Sequence, residues 1–227
     1  MRASSRVAIA DRLALVTIAV AALVGCGADS GGELATTAGA VRAANCLVRI
    51  HGRTETGSAP VQRDGYAELS PTGNAEFGDG HVWLYDTDER YADARRIVAG
   101  AIDGAECERV VLDGFSNGGA FAARLFCQGE SFGGTVVGVI IDDPVPDDST
   151  NPCDPAPGVE VALYWTGALS GAAAGIACES IGYTCGGELL VGIDAFADGL
   201  RTEILVSPHV DHVQYQDAPE IGRWFAG

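Results

Sequence analysis

Short apolar runs alternate with helix-like segments along residues 46–227, and this alternation leaves few architectures open. Residues 47–50, 82–85, 110–112, 136–141, 159–165 and 204–206 read as buried strands, because each run is nearly continuous in its apolar character. Residues 89–101, 117–127 and 192–200 carry helical periodicity, and Asp217 with Pro219 opens a last helix over 218–225. Strands that take turns with helices pair in parallel, since a parallel pair needs a crossover long enough to hold a helix. The expectation is a single α/β domain over residues 45–227, with a mostly parallel central sheet of about six strands flanked by helices. Two stretches interrupt the alternation. Residues 54–80 are rich in Gly and Pro and read as a long surface excursion, and residues 142–158 crowd five aspartates among prolines and read as a solvated loop.

The first residues read as an address. Arg2, Arg6 and Arg12 precede or flank an uncharged apolar run over 13–24 that is too short for a comfortable membrane span, which marks residues 1–25 as a signal peptide. The run ends Leu23-Val24-Gly25-Cys26 and resembles the bacterial lipoprotein signal. That resemblance implies lipidation of Cys26, with residues 26–44, small and polar, as a flexible tether. The alternative is a plain secretory signal. Either reading places the protein outside the cytoplasm, lipid-anchored at a bacterial cell envelope or secreted, and the anchor is then its membrane contact.

Charge and cysteine content narrow the classes further. The chain has 14 basic residues, all of them Arg, against 31 acidic ones, for a net charge of −17. Such a protein repels phosphate backbones, so nucleic-acid binding is excluded, and strongly anionic substrates are disfavoured. Besides Cys26 there are Cys46, Cys107, Cys127, Cys153, Cys178 and Cys185, an even set in a compartment where disulfides persist. Three bridges are expected, with the connectivity open. The spacings lack a zinc pattern, and no metal is implied.

The most informative stretch is a β-branched run from Arg109 that meets Gly114-Phe115-Ser116-Asn117-Gly118 and continues into an Ala-rich helix. This is a G-x-S-x-G sequence in a strand-to-helix setting. A nucleophile on so sharp a turn needs small residues two positions before and after it. Ser116 is therefore the candidate nucleophile, and the N–H of Asn117, at the helix start, the candidate oxyanion donor.

Together with Ile50-His51-Gly52-Arg53 upstream and a late histidine downstream, this elbow resembles the α/β-hydrolase superfamily over residues 46–227. The resemblance implies a three-layer fold and a second oxyanion donor in the backbone of Arg53, with His51 holding the loop. The base belongs on a loop after the last strand, where Ser207-Pro208-His209-Val210-Asp211-His212 offers two histidines. His212 is preferred, because it sits where the turn closes. The usual acid position, after residues 159–165, holds no carboxylate. Pancreatic-type lipases place the acid one strand earlier, after a strand ending Asp-Pro, and Ile141-Asp142-Asp143-Pro144 matches that pattern. Asp143 is the first candidate and Asp142 the second; adjacent strand residues face opposite ways, so one of them reaches the base. Glu179, between Cys178 and Cys185, is a third, by likeness to the cutinases, whose acid lies in a small disulfide loop. The same resemblance implies the pairings Cys46–Cys107, Cys178–Cys185 and Cys127–Cys153.

The implied activity is hydrolysis of carboxylic esters through an acyl-enzyme, with no cofactor. No insertion is long enough for a large helical lid, which suggests an open cleft for small-molecule or polymeric esters. The competing reading is a non-catalytic envelope lipoprotein of the same fold that binds a ligand or partner.

Overall fold

A computed structural model of the chain describes residues 44–167 and 191–227. Cys26, the signal and tether segments, Glu179, Cys178 and Cys185 lie outside the described residues. The chain runs β1 (Asn45–Ile50), β2 (Ser58–Gln62), β3 (Ala67–Ser70), β4 (Ala75–Phe77), β5 (Gly80–Val82), α1 (Asp88–Gly104), β6 (Arg109–Phe115), α2 (Asn117–Cys127), β7 (Val136–Asp142), β8 (Glu160–Trp165), α3 (Ile193–Leu200), β9 (Ile204–Val206) and α4 (Pro219–Ala226).

Seven strands form one sheet in the order β2-β3-β1-β6-β7-β8-β9. Every neighbouring pair is parallel except the outermost, β2 with β3. The pleat sends alternate residues to opposite faces. Cys46, Val48 and Ile50 join the core under α1, α2 and α3, whereas Leu47 joins Val111, Ile140 and the α4 residues Ile221 and Trp224 on the other face. The result is a three-layer α/β fold, a mostly parallel sheet with helices on both faces, as the alternation implies. β1, β6 and β7, at the centre, are buried along nearly their whole length because both faces of the sheet are covered.

The excursion over 54–80 is more structured than its composition suggests. It contributes β2, β3 and β4, and β3 extends the sheet by pairing in parallel with β1, so the sheet has seven strands where about six were expected. These strands are three to five residues long, and all of β2 is exposed, so neither length nor hydrophobicity marks them. Residues 82–85, expected as a strand, are a buried connector instead. Only Val82 belongs to a strand, in the two-stranded β4–β5 ribbon. Two asparagine side chains replace the ladder. Trp83 N–H donates to Asn117 Oδ1 and its carbonyl accepts from Asn117 Nδ2. Asn74 makes the same pair of bonds to Leu84.

The aspartate-rich segment also departs from expectation. Asp142, Asp143 and Asp147 are fully buried, and only Asp154 of the five is exposed. Asp147 accepts the Tyr85 hydroxyl and caps a short 3-10 turn at Asp148–Thr150 through Ser149 N–H. Two disulfides, Cys46–Cys107 and Cys127–Cys153, pair as the resemblance implies. The first ties the start of β1 to the turn before β6; the second ties the end of α2 to the loop before β8.

Candidate active site

The elbow is built by glycine. Ser116 has φ 56° and ψ −120°, a conformation that strains any residue with a side chain and is stable only where its surroundings enforce it. A Cβ at Gly114 would lie 2.3 Å from the Gly118 carbonyl oxygen, and one at Gly118 would lie 2.0 Å from that of Ile50. Both clashes are with backbone, which has nowhere to go. The Ser116 N–H donates to the Asp142 carbonyl, so the strained residue still completes the β6–β7 ladder.

Three side chains converge at this turn. His212 Nε2 lies 2.9 Å from Ser116 Oγ, and His212 Nδ1 lies 2.5 Å from Asp143 Oδ2. Asp143 is fully buried, and its carboxylate also accepts from the Thr166 N–H and hydroxyl, at 3.0 and 2.7 Å. Those two donors fix the carboxylate, which fixes the imidazole with Nδ1 protonated and Nε2 free to accept the serine proton. The Phe115 ring packs against the His212 ring at 4.6 Å between centroids. Asp143 itself has φ 42°, which swings its side chain out of the β7 alternation toward the histidine. Of the paired aspartates, the structure therefore brings Asp143 to the base, while Asp142 accepts the Tyr215 N–H on the other side.

The His51-Gly52-Arg53 turn lies directly against the elbow. A Cβ on Gly52 would come within 3.3 Å of the Ser116 Cβ. His51 accepts the Gly73 N–H at Nε2, and its Nδ1 lies 2.6 Å from the Gly52 carbonyl. That pattern requires the neutral ring, and burial, the largest influence, pushes its pKa down accordingly. His51 is thus a loop brace, as expected. The N–H of Arg53 meets no acceptor among the described residues, and the N–H of Asn117, first in α2, has no intrahelical acceptor. A cavity of 420 Å³ opens here, lined by Gly52, Arg53, Glu55, Phe77 and Phe115 with Ser116 and His212. His209 stands apart: its N–H donates to Ser207 Oγ and its ring meets the Tyr215 edge. Among the described residues no cluster of three His, Cys, Asp or Glu side chains is arranged to hold a metal ion.

A buried polar network behind His212 escapes sequence reasoning. Arg49 on β1 stands in register opposite Asp113 on β6 and forms an ion pair with it. The Arg49 Nη2 donates to the Gln216 carbonyl at 2.8 Å, and Gln214 Nε2 lies 3.4 Å from Asp113. With the Asp142 bond to Tyr215 N–H, three consecutive residues of the segment after His212 are held by strand side chains. The detectable signal was a charged residue inside each of two apolar strands. Burial raises the pKa of Asp113 to about 6, against the opposing pull of Arg49, and that of Asp142 to about 7, helped by the neighbouring Asp113 and Asp143 charges.

No family model matches this sequence, and no curated protein matches it. Solved structures align with it at low identity. A protein of unknown function from Agrobacterium tumefaciens is 16% identical, with 82% of this chain and 91% of that chain covered at a TM-score of 0.46. An esterase from Pyrococcus furiosus is 13% identical, covering 81% and 82% at 0.45. Esterase B from Lactobacillus rhamnosis is 12% identical, covering 81% and 76% at 0.43.

Proposed function

We propose that the protein is an extracytoplasmic serine hydrolase that cleaves carboxylic esters through an acyl-enzyme. The observation that carries this reading is the continuous hydrogen-bonded line from Ser116 Oγ through His212 to Asp143, set in a strained elbow at the wall of an open cavity. Ser116 Oγ attacks the ester carbonyl as its proton passes to His212 Nε2. The tetrahedral oxyanion is met by the N–H groups of Arg53 and Asn117, donors of the kind whose single removal costs about 3 kcal/mol of barrier. Collapse expels the alcohol with the proton from Nε2, and water repeats the cycle to release the acid. Asp143 holds the imidazole tautomer and stabilises its charged form throughout.

Ester over amide follows from the resemblance of the motif set. Two disulfides support an oxidising compartment, and a signal over 1–25 with lipidation at Cys26 would deliver the domain there on its tether. Fluorophosphonate labelling of the mature domain, with p-nitrophenyl acetate and butyrate hydrolysis in parallel, tests the assignment. Labelling is expected in the wild type and absent in Ser116→Ala, with turnover lost in both Ser116→Ala and His212→Ala. A folded wild type that takes no label would favour the ligand-binding reading instead.

A further inference from the structure

One arginine of this strongly acidic molecule lines the candidate site. Arg49, Arg63, Arg90, Arg95, Arg96 and Arg223 each have a carboxylate within ion-pair distance. Arg53 has none among the described residues, although it is half-buried and lines the cavity that holds Ser116 and His212. Its Nη1 is sealed from solvent and has no hydrogen-bond partner. Its guanidinium lies over the Phe77 ring, 5.7 Å from the centroid, which orients the plane without satisfying the donors. Glu55, the one carboxylate in the same wall, is exposed and accepts the Gly52 N–H at 2.9 Å, so it serves the loop and not the arginine. Burial lowers the Arg53 pKa. A buried guanidinium nitrogen without an acceptor is costly, as at Arg109 Nε too, and what separates Arg53 is that its guanidinium belongs to the cavity wall beside Ser116 and His212.

On the hydrolase reading above, we infer that Arg53 is the specificity residue of this site: its guanidinium receives a carboxylate carried by the substrate, and the preferred substrates are esters with a free acid a few bonds from the scissile carbonyl, such as half-esters of dicarboxylic acids. The planar fork of arginine suits a carboxylate better than a point charge does. Net charge does not contradict this. The −17 acts on approach and is screened over roughly 8 Å at physiological salt, whereas a guanidinium inside the cavity acts on the bound ligand.

The test compares monoethyl glutarate with ethyl pentanoate, in which a methyl replaces the acid, by pH-stat at pH 8. The wild type is expected to favour the half-ester in kcat/KM. In Arg53→Gln the ratio of the two kcat/KM values is expected to fall about tenfold or more, whatever happens to either alone, and Arg53→Lys should keep part of it. Calorimetry on Ser116→Ala, which binds without turnover, separates this inference from the reading it rests on. Tighter binding of monoethyl glutarate than of ethyl pentanoate, lost in Ser116→Ala/Arg53→Gln, would support the Arg53 assignment even if no ester were cleaved. An unchanged ratio in Arg53→Gln with fluorophosphonate labelling intact would overturn it and leave the hydrolase standing. A wild type with no preference for the half-ester would overturn it too, and that outcome needs no variant to fold.

Discussion

Asp143 and Asp142 are adjacent in sequence and opposite in task. Asp143→Asn would keep the shape of the site but remove the charge that selects the His212 tautomer, and kcat on p-nitrophenyl butyrate is expected to fall by about 10³ to 10⁴ with thermal stability nearly intact. Asp142→Asn should do the reverse. Asparagine still accepts the Tyr215 N–H, and its amide occupies the place of Asp142 Oδ1, a buried oxygen without a partner. The sign follows from the raised pKa of about 7. A carboxyl more easily protonated in the folded state contributes its stability fully below the unfolded value near 4, and loses it as pH rises through 7. Urea unfolding of the wild type should therefore weaken between pH 5 and pH 8, and Asp142→Asn should flatten that decline by up to about 2.5 kcal/mol. Asp113, raised for the same reason of burial, would keep a smaller slope in the variant.

At the scale of elements, close packing is carried by glycines that face large groups. Gly138 on β7 lies under α4, where an added Cβ would sit 2.2 Å from the Trp224 ring. Gly138→Ala must push the helix away or turn the indole off its rotamer, and a loss of about 1–3 kcal/mol in urea unfolding is expected. The helices were legible in the sequence to within a few residues, because α1 and α2 bury whole faces and declare their period. The central strands were legible because both their faces are covered. The edge was not. β2 is exposed at every residue and β3 spans only four, so their place in the sheet comes from pairing, β3 with β1 and β2 with β3, rather than from any local pattern. The connector at 83–85 misled for the opposite reason, since Trp83 and Tyr85 are fully buried but the backbone of Trp83 and Leu84 is satisfied by asparagine side chains. The nucleophile and base candidates were legible as motif and position. Of the three acid candidates, Glu179 lies outside the described residues, and the left-handed φ at Asp143 separates it from Asp142.

On the whole molecule, the two described disulfides close loops of 61 and 26 residues. Loop-closure entropy alone assigns about 4 and about 3.5 kcal/mol to them, so Cys46→Ser/Cys107→Ser should lower the thermal midpoint more than Cys127→Ser/Cys153→Ser, as calorimetry would show. The site draws its parts from far along the chain, with Ser116, Asp143 and His212 on segments that follow three different strands of one sheet. His212 lies on a surface loop, yet the residues after it are tied to Arg49, Asp113 and Asp142, side chains rooted in β1, β6 and β7. A loop anchored to three central strands cannot fray by itself, because releasing it strands buried charge. Its opening is coupled to that of the sheet, so the core of the fold holds His212 beside Ser116.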